Sequence, residues 1–175
     1  KKFIVAVDGL KYSSSAVSYA VHLAKENKAH LTGVFLNDIT YHSYKIYDLI
    51  TDEGVSGPRQ KELEEKDEET RTESKLLFEK GCQDAGLQYT VHKDRNIAIR
   101  ELLHESIYAD LLIIDKTETF THYSEDPPTR FIRELLEQVQ CPVIIVPPGY
   151  FAMNKIILLY DGEPSSVYAI KMIDY

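Results

Sequence analysis

Apolar and polar positions follow two recurring patterns along the chain. Short apolar runs rich in β-branched residues, each bounded by polar or turn residues, predict strands buried on both faces of a sheet. Between these runs, apolar residues recur every three or four positions and mark one face of a helix. The predicted strands are 3–7, 31–36, 89–92, 111–114 and 143–146, and the predicted helices are 13–28, 59–85, 97–108 and 130–139.

The alternation of strands with helix-length connections predicts an α/β fold. Parallel strands are joined by right-handed crossovers, so few arrangements are possible. We expect a doubly wound five-stranded parallel sheet of order 3-2-1-4-5. The winding direction changes between the first and fourth strands. In sheets of this kind, ligands bind at the carboxyl ends of the two strands that flank this change. The candidate ligand site therefore comprises residues 8–13 and 115–129.

Two long segments depart from this alternation. Helix 59–85 is rich in charge, with opposite charges four residues apart as in Glu62 and Lys66, which favours a solvated face over a binding surface. Segment 39–57 is a long connection that contains three tyrosines, and connections of this length are usually functional or mobile. Its tyrosines have two interpretations, a lid or stacking surface for a base and a cluster packed on the flank of the domain.

The opening of the chain occurs a second time near its end. KFIVAVDG at 2–9 is matched by KIILLYDG at 155–162, so that Asp8 and Asp161 stand 153 residues apart. A period of that length is the size of a domain and far exceeds a solenoid repeat. We predict one complete domain at 1–148, a linker at 149–154, and the first strand and helix of a second, truncated domain at 155–175.

Composition narrows the functional classes. The net charge of −8 argues against a nucleic-acid partner, which would require a basic surface. No apolar run reaches the roughly 20 residues that span a bilayer, so we expect no membrane partner and a cytoplasmic location. Cys82 and Cys141 are isolated in the sequence and are interpreted as buried small residues, not as a disulfide or zinc site.

The segments around the predicted switch point resemble a universal stress protein domain. The resemblance covers residues 2–148 and rests on the strand ending Val7-Asp8-Gly9 with serines after it, on ADLLII at 109–114 and on CPVIIVP at 141–147. The second opening, YDGEPSS at 160–166, makes the chain similar to the tandem members of that family. The resemblance implies an adenine nucleotide alpha hydrolase-like fold.

In the ATP-binding members of that family, the fourth strand leads into the motif G-x2-G-x9-G-[ST], whose glycine amides surround the phosphates. Placed on this chain, the motif falls on Asp115, Glu118, Pro128 and Thr129, so all three glycines are absent. Asp115 and Glu118 would bring negative charge to the phosphate position, and Pro128 lacks an N–H. Lys116 and Arg130 would offset part of the repulsion. The motif is therefore predicted to be degenerate.

Two residues retain the family pattern but also have simpler explanations. Asp8, followed by Gly9, stands where family members contact the ribose or base of the nucleotide, yet a carboxylate that accepts backbone amides in the strand-to-helix turn needs no ligand. We favour this second interpretation of Asp8. Thr129 matches the last motif position and equally suits a helix N-cap.

The resemblance implies a non-enzymatic stress-response regulator that pairs with another such domain, in a homo-oligomer or in tandem, through the edge of its last strand. Serines 13–15 lack the surroundings of a nucleophile, so we predict no enzyme activity and no catalytic residues. We predict no cofactor because the phosphate motif lacks its glycines, and no metal because no histidine pairs with another ligand in an HxxxH or HxH arrangement. The main alternative is an ATP-binding switch with a divergent phosphate loop. A third hypothesis is a metal or small-molecule sensor that uses the tyrosine-rich segment and His122.

Overall fold

The computed structural model of the chain describes residues 1–36, 42–44, 49–51, 54–55, 57–94, 98–153 and 155–173. Its main elements alternate between strand and helix, as the apolar pattern predicts. In chain order they are β1 (Lys2–Asp8), α1 (Ser14–Asn27), β2 (His30–Leu36), β3 (Ile50–Thr51), β4 (Gly54–Val55), α2 (Gly57–Asp84), β5 (Tyr89–Asp94), α3 (Ala98–Ser106), β6 (Leu111–Asp115), α4 (Arg130–Gln138), β7 (Val143–Val146) and α5 (Pro164–Ile173).

The five long strands form one parallel sheet of order β5-β2-β1-β6-β7. Counted along the chain, this is the predicted order 3-2-1-4-5, so the predicted fold class is confirmed. β1 is the central strand, and its Val5 lies opposite Gly33 of β2 and Ile113 of β6. The short antiparallel pair β3–β4, which the sequence did not predict, lies within the 39–57 connection.

Helices cover both faces of the sheet. Successive residues of β1 point to opposite faces, so Val5 belongs to one apolar layer and Ile4 to the other. The layer around Val5 includes residues of α1 and α2, and the layer around Ile4 includes residues of α3 and α4. Full burial of an aliphatic side chain contributes about 1.5–3 kcal/mol. The double burial of β1 explains its uninterrupted apolar sequence.

Helix α2 is more than a solvated helix. Four of its residues, at spacings of seven, four and four, form a buried stripe: Asp67, Ser74, Phe78 and Cys82. A Cβ atom at Gly33 would lie 2.8 Å from the Phe78 ring, so the close approach of α2 to β2 requires glycine there. The charged side chains such as Glu62 and Lys66 do form the predicted solvated face, and the buried stripe on the other side of the helix was not predicted. The hydrophobic pattern of the sequence does not reveal the stripe because two of its four residues are polar.

Helix α3 also differs in part from its predicted form. Leu102 is buried, with Ile99 and Leu103 packed against the same layer, as expected. The apolar spacing of 99, 102, 103 and 107 in the sequence predicts that Ile107 completes this stripe, yet Ile107 is 56% exposed because α3 ends at Ser106. Asn96, which precedes the predicted helix 97–108 and would suit its N-cap, lies outside the described residues. The apolar period thus predicted the helix face correctly and its end incorrectly.

The two cysteines are buried, as predicted. Burial, and secondarily the nearby Glu79, raises the pKa of the Cys82 thiol to about 12. Burial, and secondarily Asp110, raises the pKa of the Cys141 thiol to about 11. Both thiols therefore stay protonated near neutral pH and act as small core side chains.

The second copy of the repeated segment lacks its predicted strand. Residues 155–160 are assigned to no strand, and their apolar side chains face solvent, with Leu159 80% exposed. The helix α5 does form. The preceding residues fold back on the first domain, where Phe151 N–H donates to the Tyr19 hydroxyl at 3.1 Å. A strand and helix alone cannot bury both of their faces, so residues 155–175 are predicted to dock on their own domain or on a partner chain. In the single chain, the apolar side chains of residues 156–160 stay exposed.

Across the described ranges, no helix combines the length and the apolar character needed to cross a membrane.

Candidate functional site

A cleft of about 330 Å³ lies at the carboxyl ends of β1 and β6, next to the point where the winding direction changes. Asp8 is the last residue of β1 and Asp115 the last residue of β6, and both are buried. The sheet topology thus brings together the two predicted segments. The cleft is lined by Lys11, Tyr12, Ser13, Ser14, Asp115, Thr117, Glu118, Thr119 and Pro148.

Asp115 connects the start of α1 to the loop that follows β6. Its Oδ2 accepts a hydrogen bond from Ser13 Oγ at 2.7 Å, and its Oδ1 accepts from the Thr117 N–H at 2.8 Å and the Thr117 hydroxyl at 2.7 Å. Ser13 is also the N-cap of α1, where its Oγ accepts from Ala16 N–H at 3.1 Å. Asp115 is therefore solvated by neutral protein donors in place of water.

The Asp8-Gly9 turn is held by its own backbone and by α2. Asp8 Oδ1 accepts from Leu10 N–H at 2.8 Å, which is the turn contact expected of an aspartate that needs no ligand. The Gly9 carbonyl accepts from Ser74 Oγ at 2.7 Å. A Cβ atom at Gly9 would lie 3.0 Å from Arg71 Cγ, so α2 packs closely over this turn. The buried polar stripe of α2 thus supports one wall of the candidate site.

Glu118 turns its carboxyl group onto its own loop. Its Oε1 accepts from the Thr119 and Phe120 N–H groups, each at 2.9 Å, and the side chain is buried. Burial first, and the charge of Asp8 second, raise the pKa of Glu118 to about 8, against the opposing effects of the two amides and of Lys11. Glu118 is therefore mostly protonated at pH 7. The expectation that Glu118 adds a full negative charge to the phosphate position stays a prediction, and the raised pKa argues against it at pH 7.

The loop around Glu118 is fixed by contacts on both sides. Phe120 has a φ of 48°, is buried, and packs against Phe131 with ring centroids 4.6 Å apart. Lys11 Nζ donates to the Thr121 carbonyl from the opposite side of the cleft. A bulky residue with its backbone in the left-handed region is uncommon and persists only where the surroundings hold it in place. The packing of the Phe120 ring provides such surroundings.

Thr129 is brought next to Glu118 and has two contacts at once. Its Oγ1 donates to the Glu118 carbonyl at 2.6 Å and accepts from Ile132 N–H at 3.3 Å, and the residue is fully buried. The predicted N-cap of α4 is therefore present. The additional bond to the Glu118 carbonyl ties the cap of α4 to the loop after β6.

The two basic residues predicted to offset repulsion lie elsewhere. Lys116 and Arg130 are exposed and do not line the cleft. The Lys116 N–H donates to the Val146 carbonyl at 2.9 Å, and the Arg130 N–H donates to Glu125 Oε2 at 2.6 Å. Among the residues that line the cleft, Lys11 alone carries a positive charge. Of the predicted site residues, Asp115 lines the cleft, whereas Asp8 and Thr129 are buried next to Glu118 without lining it, and Lys116 and Arg130 are exposed outside it.

The sensor hypothesis finds no cluster to support it in the part of the chain that is described. No group of three or more His, Cys, Asp and Glu side chains there is arranged to hold a metal ion. The His122 ring lies against Tyr123, with centroids 3.9 Å apart. From the tyrosine-rich segment, Tyr41 and Tyr47 lie outside the described residues. Tyr44 stacks on His42 and its hydroxyl lies 3.4 Å from Glu64 of α2.

Some residues of the cleft were not identified individually from the sequence. Lys11, Thr117 and Thr119 fall within the two predicted segments, but no motif distinguishes them from their neighbours. Pro148 was not expected, although its place just after β7, the neighbour of β6, is a signal that topology could have supplied. Burial raises the pKa of Tyr12 to about 12, so its hydroxyl is a neutral group in the cleft.

Comparison with known proteins agrees with this geometry. Residues 1–147 match the model of the universal stress protein family. Universal stress protein UspA from Lactobacillus plantarum is 16% identical, with a TM-score of 0.60 over 83% of this chain and 97% of that one. These similarities show a shared adenine nucleotide alpha hydrolase-like fold. No curated protein matches the chain.

Two further similar structures have nucleotides in their descriptions. A universal stress protein family protein from Arabidopsis thaliana with AMP bound is 10% identical, with a TM-score of 0.53 over 84% of this chain and 91% of that one. The universal stress protein from Archaeoglobus fulgidus in complex with dAMP is 14% identical, with a TM-score of 0.53 over 82% of this chain and 95% of that one. At these identities, the likeness concerns the fold alone.

Proposed function

The chain belongs to the universal stress protein family, and we propose that it is a non-enzymatic regulatory protein of the stress response. It acts by pairing with another universal stress domain, either in a second copy of this chain or in a tandem domain that begins at residue 155. Its first domain does not bind ATP in the usual manner of the family. The repeated Asp-Gly segment supports the tandem arrangement.

The observation that carries the proposal concerns the three positions where the family's phosphate loop has glycine. Asp115 and Glu118 each accept hydrogen bonds from the hydroxyl and amide donors of their own surroundings, and Pro128 has no N–H to donate. A phosphate group would therefore meet carboxyl oxygens at this end of the cleft, where glycine-containing members offer backbone amides.

The edge of the sheet supports the pairing. β7 forms its backbone ladder with β6 and with no other described strand, and Ile145 on β7 is 40% exposed. An apolar edge strand favours association with another chain unless it is covered. The exposed side chains of residues 156–160 add a second apolar surface that association could bury.

Analytical ultracentrifugation tests the pairing. We expect the chain to form dimers at micromolar concentration, and Ile145→Lys to weaken them at least about tenfold because a charge would enter the paired edge. Leu77→Lys on α2 is the matched control, since Leu77 is 47% exposed and lies on another element. A wild-type chain that is monomeric at every concentration, or equal effects of the two variants, would contradict pairing between copies through β7.

An ATP-binding switch with a divergent loop is the second candidate function. A cleft of about 330 Å³ at the switch point, with Lys11 in its lining, favours it, as do the AMP and dAMP of two similar structures. Isothermal titration with ATP and magnesium separates the two candidates. The first predicts no binding in the micromolar range, and micromolar binding that Asp8→Ala abolishes would establish the second in its place.

A further inference from the structure

We propose that Glu118 determines the specificity of the cleft, because its carboxyl group occupies the backbone donors that a phosphate group would use. The side chain serves as an internal substitute for phosphate, and the cleft therefore rejects phosphorylated ligands. This inference rests on the proposed function only in taking the cleft as the ligand site of a universal stress domain.

The geometry at Oε1 of Glu118 is that of an anion site already in use. Two consecutive N–H groups, of Thr119 and Phe120, converge on one oxygen at 2.9 Å each. Consecutive amides that point to one acceptor form a backbone nest, which is a common binding site for phosphate. Here the acceptor is supplied by the residue that immediately precedes the two donors.

The carboxyl group is held in this nest by its surroundings. Glu118 is 7% exposed, and its carbonyl accepts a hydrogen bond from the buried Thr129 hydroxyl. The nest is rigid on its far side because Phe120 is packed against Phe131. A tethered group acts at an effective concentration of about millimolar or higher. A free phosphorylated ligand must therefore displace a competitor that cannot diffuse away.

At neutral pH, the cleft rejects phosphate mainly because Glu118 already occupies the two amides, and the charge of Glu118 contributes less. Burial and Asp8 raise the pKa of Glu118 to about 8, so the group is mostly a neutral acid at pH 7. A neutral acid still accepts both hydrogen bonds through its carbonyl oxygen. Glutamine at this position would keep an equivalent oxygen, whereas alanine or glycine would free both amides. The three substitutions thus separate occupation from charge.

Isothermal titration at pH 7 with AMP and, separately, with adenosine tests the proposal. The ratio of the two affinities reports recognition of the phosphate alone, since the two ligands share all other groups. We expect a ratio near one for wild type and for Glu118→Gln. For Glu118→Ala and Glu118→Gly, we expect the ratio to shift at least about tenfold in favour of AMP, because two amide donors become available. Asp126→Ala, which replaces an exposed acid in the same loop, should behave as wild type.

Each other result overturns the inference. An equal gain of AMP affinity in Glu118→Gln would show that charge, not occupation, excludes phosphate. No gain in a folded alanine or glycine variant, verified by circular dichroism, would show that Glu118 is not the determinant. Wild type that prefers AMP would also refute it. Micromolar ATP binding by the wild-type protein would contradict the proposed function itself. If the wild-type protein does not bind ATP and the Glu118 variants show no gain in AMP affinity, this inference alone would be contradicted.

Discussion

Asp8 and Asp161 occupy equivalent positions in the two copies of the repeated segment, and each accepts a hydrogen bond from the backbone N–H two residues later. The distances are 2.8 Å to Leu10 N and 3.0 Å to Glu163 N. Asp8 is buried at the end of a strand paired on both sides, whereas Asp161 is exposed and follows six residues assigned to no strand. The same local sequence thus produces the same turn contact in two very different environments.

The difference shows which features require neighbours. The hydrogen bonds of a turn are made within a few residues, so both copies form them. A strand obtains its hydrogen bonds from other strands and its burial from both faces, so only the copy with β2 and β6 beside it forms one. Gly162 adopts a φ of 93° while Gly9, packed under Arg71, does not adopt a positive φ, so even the turns diverge once packing acts on one of them.

The largest expected effect comes from placing a charge in equivalent strand positions. Val5 and Leu158 correspond in the two copies, and Val5 is fully buried while Leu158 is 48% exposed. Val5→Asp should lower the free energy of unfolding by at least about 4 kcal/mol, because an unpaired charge enters the core. Leu158→Asp should change it by less than about 0.5 kcal/mol. Urea denaturation measures both, and equal losses would show that the second copy is packed in solution.

A smaller effect, on the pH dependence of stability, should distinguish Glu118, which lies near Asp8, from Glu163, which lies near Asp161. Glu118 has a folded pKa of about 8, above its ordinary value of 4.5, so between these pH values the unfolded chain has lost a proton that the folded chain keeps. Wild-type stability should therefore fall as pH rises through this range and level off above it. Glu118→Gln removes this loss, and from pH 5 to pH 8 its stability relative to wild type should rise by roughly 3–4 kcal/mol.

Thermal unfolding at a series of pH values measures this difference. Glu163→Gln, next to Asp161 and exposed, is the matched control and should show no such pH dependence. If Glu118→Gln ran parallel to wild type across the range, Glu118 would not be a proton-binding site of the folded state.

The smallest effect concerns the two equivalent serines. Ser13 caps α1 and donates to the buried Asp115, so Ser13→Ala should cost about 1–2 kcal/mol through the lost cap and the weakened solvation of that carboxylate. Ser166 donates to the Glu163 carbonyl at the exposed start of α5 and, within the described residues, hydrogen-bonds no buried group, so Ser166→Ala should cost less than about 0.5 kcal/mol in global stability. A larger cost at Ser166 would indicate that α5 belongs to the cooperative unit.

Much of the fold was predictable because its signals are local. The strand 143–146 and the Thr129 cap were predicted at their observed positions, since a short apolar run and a polar residue before a helix each define an element without outside help. The end of α3 was misplaced because the apolar period continues to Ile107 beyond the last helical turn. The buried stripe of α2 was missed because Asp67 and Ser74 are polar, and their burial depends on partners distant in the chain.

For the candidate site, the sequence predicted the segments that contain the cleft, because the carboxyl ends of central strands meet at the switch point. The binding roles of Asp8, Asp115 and Thr129 stay predictions. The sequence placed Glu118 at a phosphate position but not with its carboxyl turned inward. It also assigned Lys116 and Arg130 to a site that their side chains do not line. The direction in which a loop side chain points depends on the contacts that the loop makes in the folded chain. The spacing of residues in the sequence does not reveal those contacts.

The sequence alone determined the order of elements, the sheet topology and the second Asp-Gly turn, because periodicity and turn chemistry act over a few residues. Tertiary structure decided which copy of the repeat became a strand, since burial and strand pairing come from neighbouring elements. It also decided the protonation of Glu118, because the free energy of a charge depends on the groups around it, and Asp8 lies 110 residues earlier in the chain.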